Sequence, residues 1–269
     1  MDVTGIVIAM VLTGAVGGLI AGLLGVGGGI VIVPVLELVL GYVGVDPAVR
    51  MHIAVGTSLA IIIPTSLSSA RAHYRSDAVA MDLVRTWSPW IVIGTIAGAI
   101  VAGRAAPQVL YAVFGVVALV VGLKMILPLD DKVVADDLPR GVLGSSIPAA
   151  IGFISAMMGI GGGSMSVPTM TLFGRPIHQA VGTSALFGAF IAVPGALGFI
   201  YTGWRNPLLP WASLGYVNVV GFAMIIPTTV LLAPLGAKLA HALSRRHLGL
   251  LFGTFLLIVA VRMGVRVFA

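Results

Sequence analysis

Two glycine clusters set the tightest limit on how this chain can fold. Residues 25–34 read GVGGGIVIVP and residues 159–168 read GIGGGSMSVP, and each phrase lies in a run of 34 residues without a charged side chain, 3–36 and 141–174. A straight helix of that length would reach about 51 Å, against a hydrocarbon core of about 30 Å. Each run must therefore break or fold back. Glycine costs about 1 kcal/mol relative to alanine in a helix interior, so the break belongs at the glycines, where backbone amides are left free to bond something else. Paired broken helices in the two halves of a membrane chain are where transporters hold their cargo.

The glycine phrase is one part of a duplication. Gly25 aligns with Gly159 and Pro34 with Pro168 at an offset of 134, HIAVGTS at 52–58 with HQAVGTS at 178–184 at 126, and Pro64 and Arg75 with Pro194 and Arg205 at 130. Phe114-Gly115 aligns with Phe252-Gly253 at 138. Apolar segments fall at 3–24, 29–43, 51–70, 87–103 and 108–127, then at 141–158, 163–174, 178–203, 208–237 and 247–267. The chain divides into a first membrane repeat, 1–127, a polar linker, 128–140, and a second membrane repeat, 141–269.

With 59% hydrophobic and 9% charged residues, against about a quarter charged in soluble domains, the chain reads as an all-α polytopic membrane protein. The net charge of +6 lies in loops, where it signals orientation and lipid contact, not nucleic-acid binding. With no cysteine there is no thiolate metal site or persulfide relay. The first apolar segment has only Asp2 before it and reads as a permanent span, not a cleaved signal.

Whether each glycine-containing pair makes two spans or one re-entrant hairpin, it returns to its side of entry. Each repeat then crosses the membrane an odd net number of times, and the two repeats are inverted. Sorted by side, one face collects Arg71, Arg75, Arg85, Lys124, Lys132, Arg140, Arg175, Lys238, Arg245 and Arg246, the other Arg50, Arg104, Arg205, Arg262 and Arg266. The first face is cytoplasmic by the positive-inside rule, which puts both termini in the periplasm. An eight-span arrangement with parallel repeats is the alternative.

Helices restarting after Gly27-Gly28-Gly29 and Gly161-Gly162-Gly163 would aim unpaired amides and positive dipole ends at the breaks, and such N-termini bind anions. Thr57, Ser58, Thr183 and Ser184 supply hydroxyls from the duplicated VGTS tetrads, with Ser164 and Ser166 added in the second repeat alone. These hydroxyls could instead bond a carbonyl one turn back or a neighbouring helix, and the glycines could serve close packing. No Lys or Arg is expected within the spans, which suits weak binding and release. Glu37, aligned with the neutral Thr171, is the first candidate for proton coupling, or snorkels to the interface. His52 and His178 are interface anchors or lesser proton candidates. Arg75 and Arg205, beside Tyr74 and Trp204, are belt anchors or steer anions from a distance.

The duplicated GxGGG-x4-P, the HxxVGTS segment that follows, the length and the two-halved layout resemble the TauE/SafE family of bacterial inner-membrane permeases, the sulfite exporter family, over nearly the whole chain. The resemblance implies a secondary transporter exporting small sulfur-containing oxyanions such as sulfite, sulfoacetate or a related organosulfonate. It implies binding by Gly25, Gly27, Gly28, Gly29, Thr57 and Ser58 and by Gly159, Gly161, Gly162, Gly163, Thr183 and Ser184. No cofactor, metal or nucleic acid is expected, the partners being a small anion and membrane lipid; the sequence carries no signal of oligomeric state. The alternatives are a carrier of another small solute or a cation, or a non-transporting membrane subunit. No protease constellation is present, so no enzyme is expected, and without a Walker motif the driving force is a gradient.

Overall fold

A computed structural model describes residues 3–24, 28–127, 141–239 and 245–268. Among them the chain is helical almost throughout, as backbone must be where no water can satisfy its amides. The helices are α1 (Val3–Leu24), α2 (Gly29–Tyr42), α3 (Pro47–Tyr74), α4 (Met81–Arg104) and α5 (Pro107–Ile126), then α6 (Gly141–Met158), α7 (Gly163–Leu172), α8 (Ile177–Gly203), α9 (Val219–Leu239) and α10 (Arg245–Phe268). Local chemistry marks the boundaries. Pro47 and Pro107 open α3 and α5, and the Asp46 carboxylate accepts the Ala48 amide at 2.8 Å as the α3 cap; proline's fixed φ and missing N–H suit a first turn. Glycine at φ +84 turns the chain at Gly44, after α2, and at φ +75 at Gly174, after α7.

Close helix contacts reveal the inversion. Along α3, Gly56 abuts Phe199, Leu59 abuts Gly195 and Ser66 abuts Gly188, so the partner number falls as the α3 number rises and α3 runs antiparallel to its counterpart α8. By the same reading α5 and α10 are antiparallel, with Gly115 on Met263 and Gly122 on Leu256. Helices exchanged between repeats run parallel: Gly14 and Gly18 of α1 lie on Ile225 and Thr229 of α9, and Gly94 and Gly98 of α4 lie on Ala149 and Phe153 of α6. These are small-xxx-small contacts that let two backbones close up. Each repeat thus packs its first helix on the fourth helix of the other.

The parallel pairing fixes the course of the broken pairs. α1, α3 and α9 all start from one face, which we call the terminal face because α10 also ends there; the opposite face is the linker face. Since α1 and α3 start together, α2 must bring the chain back, and at 14 residues it spans about 21 Å, less than a bilayer core of about 30 Å. α1 and α2 thus form a hairpin that enters and leaves at the terminal face. α6–α7, with a 10-residue α7, is its counterpart from the linker face.

One expected segment is shortened. The ninth was expected from residue 208, but α9 begins at Val219, and Ser213–Leu214 pairs with Val217–Asn218 in a small antiparallel hairpin. Pro207 and Pro210 break helical continuity there, while the Tyr216 amide donates to the Phe199 carbonyl at 3.2 Å and holds the hairpin on α8. The linker 128–140 lies outside the described residues.

Candidate functional site

The two hairpin tips meet. Gly29 lies so close to Gly159 and Ile160 that a side chain on it would run into the Gly159 carbonyl. Gly28, at φ +72, starts α2 and Gly162 starts α7, and neither helix has a capping side chain. First-turn amides therefore point at the junction from both sides. Gly159 turns the second tip at φ +68 and packs on Val55 and Val33, and its carbonyl accepts the Ser58 hydroxyl at 2.7 Å. Gly161 and Gly163 are buried at this tip. Gly25 and Gly27 lie outside the described residues.

The VGTS tetrads clasp the repeats together. Thr57 Oγ1 accepts the Asn218 amide at 2.8 Å and Thr183 Oγ1 accepts the Ala80 amide at 2.9 Å. Both amides immediately precede the fourth helix of the opposite repeat, α9 and α4. The glycine before each threonine lets the opposite loop close in, Gly56 against the Tyr216 carbonyl and Gly182 against the Ala78 carbonyl. Ser184 donates to the Val181 carbonyl at 2.9 Å. The duplicated hydroxyls thus all have protein partners, which is the packing role set beside ligand contact above.

The second tip is chemically different from the first. At the offset of 134, Ser155, Ser164 and Ser166 stand where the first repeat has Ala21, Ile30 and Ile32. All three serines are buried, and the hydroxyls of Ser155 and Ser166 have no hydrogen-bond partner. Ser166 belongs to the first turn of α7, and its Oγ lies 3.3 Å from where a Gly162 side chain would begin, in a corner closed by Phe187 and Ile191 of α8. Burying a hydroxyl without a partner is costly, and this one sits beside an uncapped helix N-terminus.

The remaining candidates are dispersed. Glu37 does not snorkel: it is fully buried, accepts from Tyr111 Oη at 3.1 Å, accepts from Arg262 Nη2, and has Arg266 Nε at 3.7 Å. The expectation that no cation enters the spans is corrected here. Arg262 lies inside α10, six residues before its end, and turns inward to the Glu37 carboxylate and the Pro34 carbonyl, the latter at 3.0 Å. Sequence reading sorted it by side as a loop charge; an i+4 arginine pair on one helix facing an intramembrane acid was the available signal. His52 is buried, its Nε2 at 3.1 Å from the Ala105 carbonyl and its ring stacked on Tyr216 at 4.9 Å, whereas His178 is exposed. Arg75 and Arg205 are exposed at the ends of antiparallel α3 and α8, hence on opposite faces. Among the described residues no three His, Asp or Glu side chains converge as a metal-binding set.

The sequence profile of the family described as Sulfite exporter TauE/SafE matches residues 10–263. A probable membrane transporter protein of Haemophilus influenzae is 35% identical over 260 residues, covering 96% of this chain and 97% of that protein. Probable membrane transporter proteins of Methanocaldococcus jannaschii and Bacillus subtilis, the latter called YunE, are 25% and 28% identical, over 92% and 77% of this chain and 91% and 85% of theirs. No solved structure matches the chain.

Proposed function

The chain belongs to the Sulfite exporter TauE/SafE family, and from that premise we propose that it is a secondary transporter moving a small sulfur-containing oxyanion across the bacterial inner membrane, with both termini periplasmic. The observation that carries the anion reading is the Ser166 hydroxyl, buried and unpartnered at the uncapped start of α7. Free amides, a helix dipole and a hydroxyl can hold an oxyanion without a formal positive charge, so binding stays weak enough for release. We place the cargo oxygens at the second tip, on Gly162, Gly163, Ser164 and Ser166, with Gly28 and Gly29 completing the site from the first. In this reading the Thr57, Ser58, Thr183 and Ser184 hydroxyls hold the frame that keeps the tips together.

Orientation follows from charge. The linker face carries the larger share of Lys and Arg, which supports a cytoplasmic linker face. Binding to the purified protein measured across sulfite, sulfate, thiosulfate, sulfoacetate and taurine, followed by flux in proteoliposomes, tests the proposal. Saturable binding of at least one sulfur oxyanion that weakens in Ser166→Ala supports it. Binding of none of them, or binding indifferent to Ser166, rejects it.

A further inference from the structure

The Glu37 cluster lies outside the proposed cargo site, towards the terminal face, and its charges do not balance. The guanidinium groups of Arg262 and Arg266, from α10, face one carboxylate, which leaves one positive charge over. The carboxylate is fully buried while the arginine side chains are 29% and 41% exposed, so Glu37 holds them from the protein side and their outer edges remain on the protein surface. Tyr111 of α5 supplies the other contact to the carboxylate, and Arg50 of α3 packs on Gly41, one turn further along α2. α1 and the start of α9, which also lie against α2, have no charged residue there. The second repeat has no such pair, since Thr171 replaces Glu37 and donates to the Pro168 carbonyl at 3.0 Å.

We infer that Arg262 and Arg266 form an anion station at the terminal face, occupied in this conformation by the Glu37 carboxylate as a tethered stand-in. A small oxyanion takes the two guanidinium groups when Glu37 accepts a proton from the terminal-face solution. Carboxylates and sulfur oxyanions offer guanidinium the same charged acceptor oxygens, so one can replace the other. Protonation is needed because a carboxylate left buried and unpaired is strongly disfavoured, whereas the neutral acid can keep its contact with Tyr111. Because α2 carries Glu37 and also starts at the cargo tips, the exchange would tie the hairpin to the proton and the anion together. The station stands on its own geometry, and rests on the proposed function only for the class of its guest.

The full chain, purified, is titrated with inorganic sulfite and sulfate between about pH 5 and 8. In the wild type, binding should tighten as pH falls. Glu37→Gln removes the tethered competitor, so affinity near neutral pH should rise about tenfold and lose its pH dependence, as expected when a minor competent state becomes the major one. Adding Arg262→Gln and Arg266→Gln should abolish that gain. In the wild type, infrared difference spectra should show the carbonyl stretch of a protonated carboxylic acid appearing with the bound anion and absent from Glu37→Gln, a readout of the unaltered protein. Anion binding that depends on Ser166 but shows no response to Glu37 or to the two arginines overturns the station alone. No binding of either anion in any variant at any pH overturns the station and the oxyanion reading together.

Discussion

The hydroxyl of Thr57 accepts the backbone amide of Asn218, 161 positions away, at 2.8 Å, and Thr183 accepts that of Ala80 in the matching place at 2.9 Å. Each repeat caps a helix of the other. The VGTS tetrad is therefore duplicated because a twofold exchange needs the same acceptor at both ends.

Thr57→Val and Thr183→Val should each lower stability by about 1–3 kcal/mol, since both leave a buried amide without its acceptor. Thr57→Ser should retain most of it. Thermal unfolding in detergent reads the difference; two valine variants as stable as the wild type would remove the clasp.

Ser166→Ala should behave oppositely. Its hydroxyl has no protein partner, so the alanine variant should be as stable as the wild type or slightly more so, while oxyanion affinity falls. The loss should correspond to about 1.5–3 kcal/mol, the range for a hydrogen bond to a charged group, or about 10-fold to 150-fold in Kd. A variant that unfolds earlier but binds normally would make Ser166 a packing residue.

Gly162→Leu should abolish transport with insertion intact. Even its Cβ would lie 2.8 Å from Ile191 Cδ1 and 3.3 Å from Ser166 Oγ, so a larger side chain fills the corner at the start of α7. Gly28→Leu should fail as well, through strain at φ +72. Flux from membranes with verified expression reads both, and near-normal rates would return these glycines to simple packing.

Arg75 and Arg205 lie at opposite faces, so any steering must be one-sided. Arg205→Gln should slow entry from the terminal face alone and Arg75→Gln from the linker face alone, more at low salt than high, because such attraction is screened over about 10 Å at 0.1 M. Initial rates in vesicles of defined orientation measure this. Loss of equilibrium binding at every salt concentration would make them direct ligands.

Much of the frame was legible in the sequence because it rests on local rules. The 34-residue runs exceed one membrane thickness, and glycine marks where they turn; parity then requires inversion. The partners of Thr57 and Thr183 were not legible, since spacing along the chain carries no information about an amide in the opposite repeat. Arg262 was counted among loop charges although the tenth apolar segment, 247–267, already contained it, because sorting charges by membrane side does not reveal which of them a helix turns inward. The stretch from Leu208 to Trp211 is apolar enough to read as helix, but Pro207 and Pro210 keep it from being one, and the Tyr216 contact with α8 holds the small hairpin that follows.

The exchange of helices between repeats also bears on how the protein is made. When a ribosome has finished residue 127, α1 still lacks α9, α4 lacks α6, and Thr57 waits for an amide 161 residues downstream of it. Contacts so distant in sequence form slowly, and a half-made chain exposes surfaces that misassemble. The nascent first half must persist in the bilayer as a loose set of helices, its glycine faces open to lipid or to insertion factors, until the second half arrives to cover them.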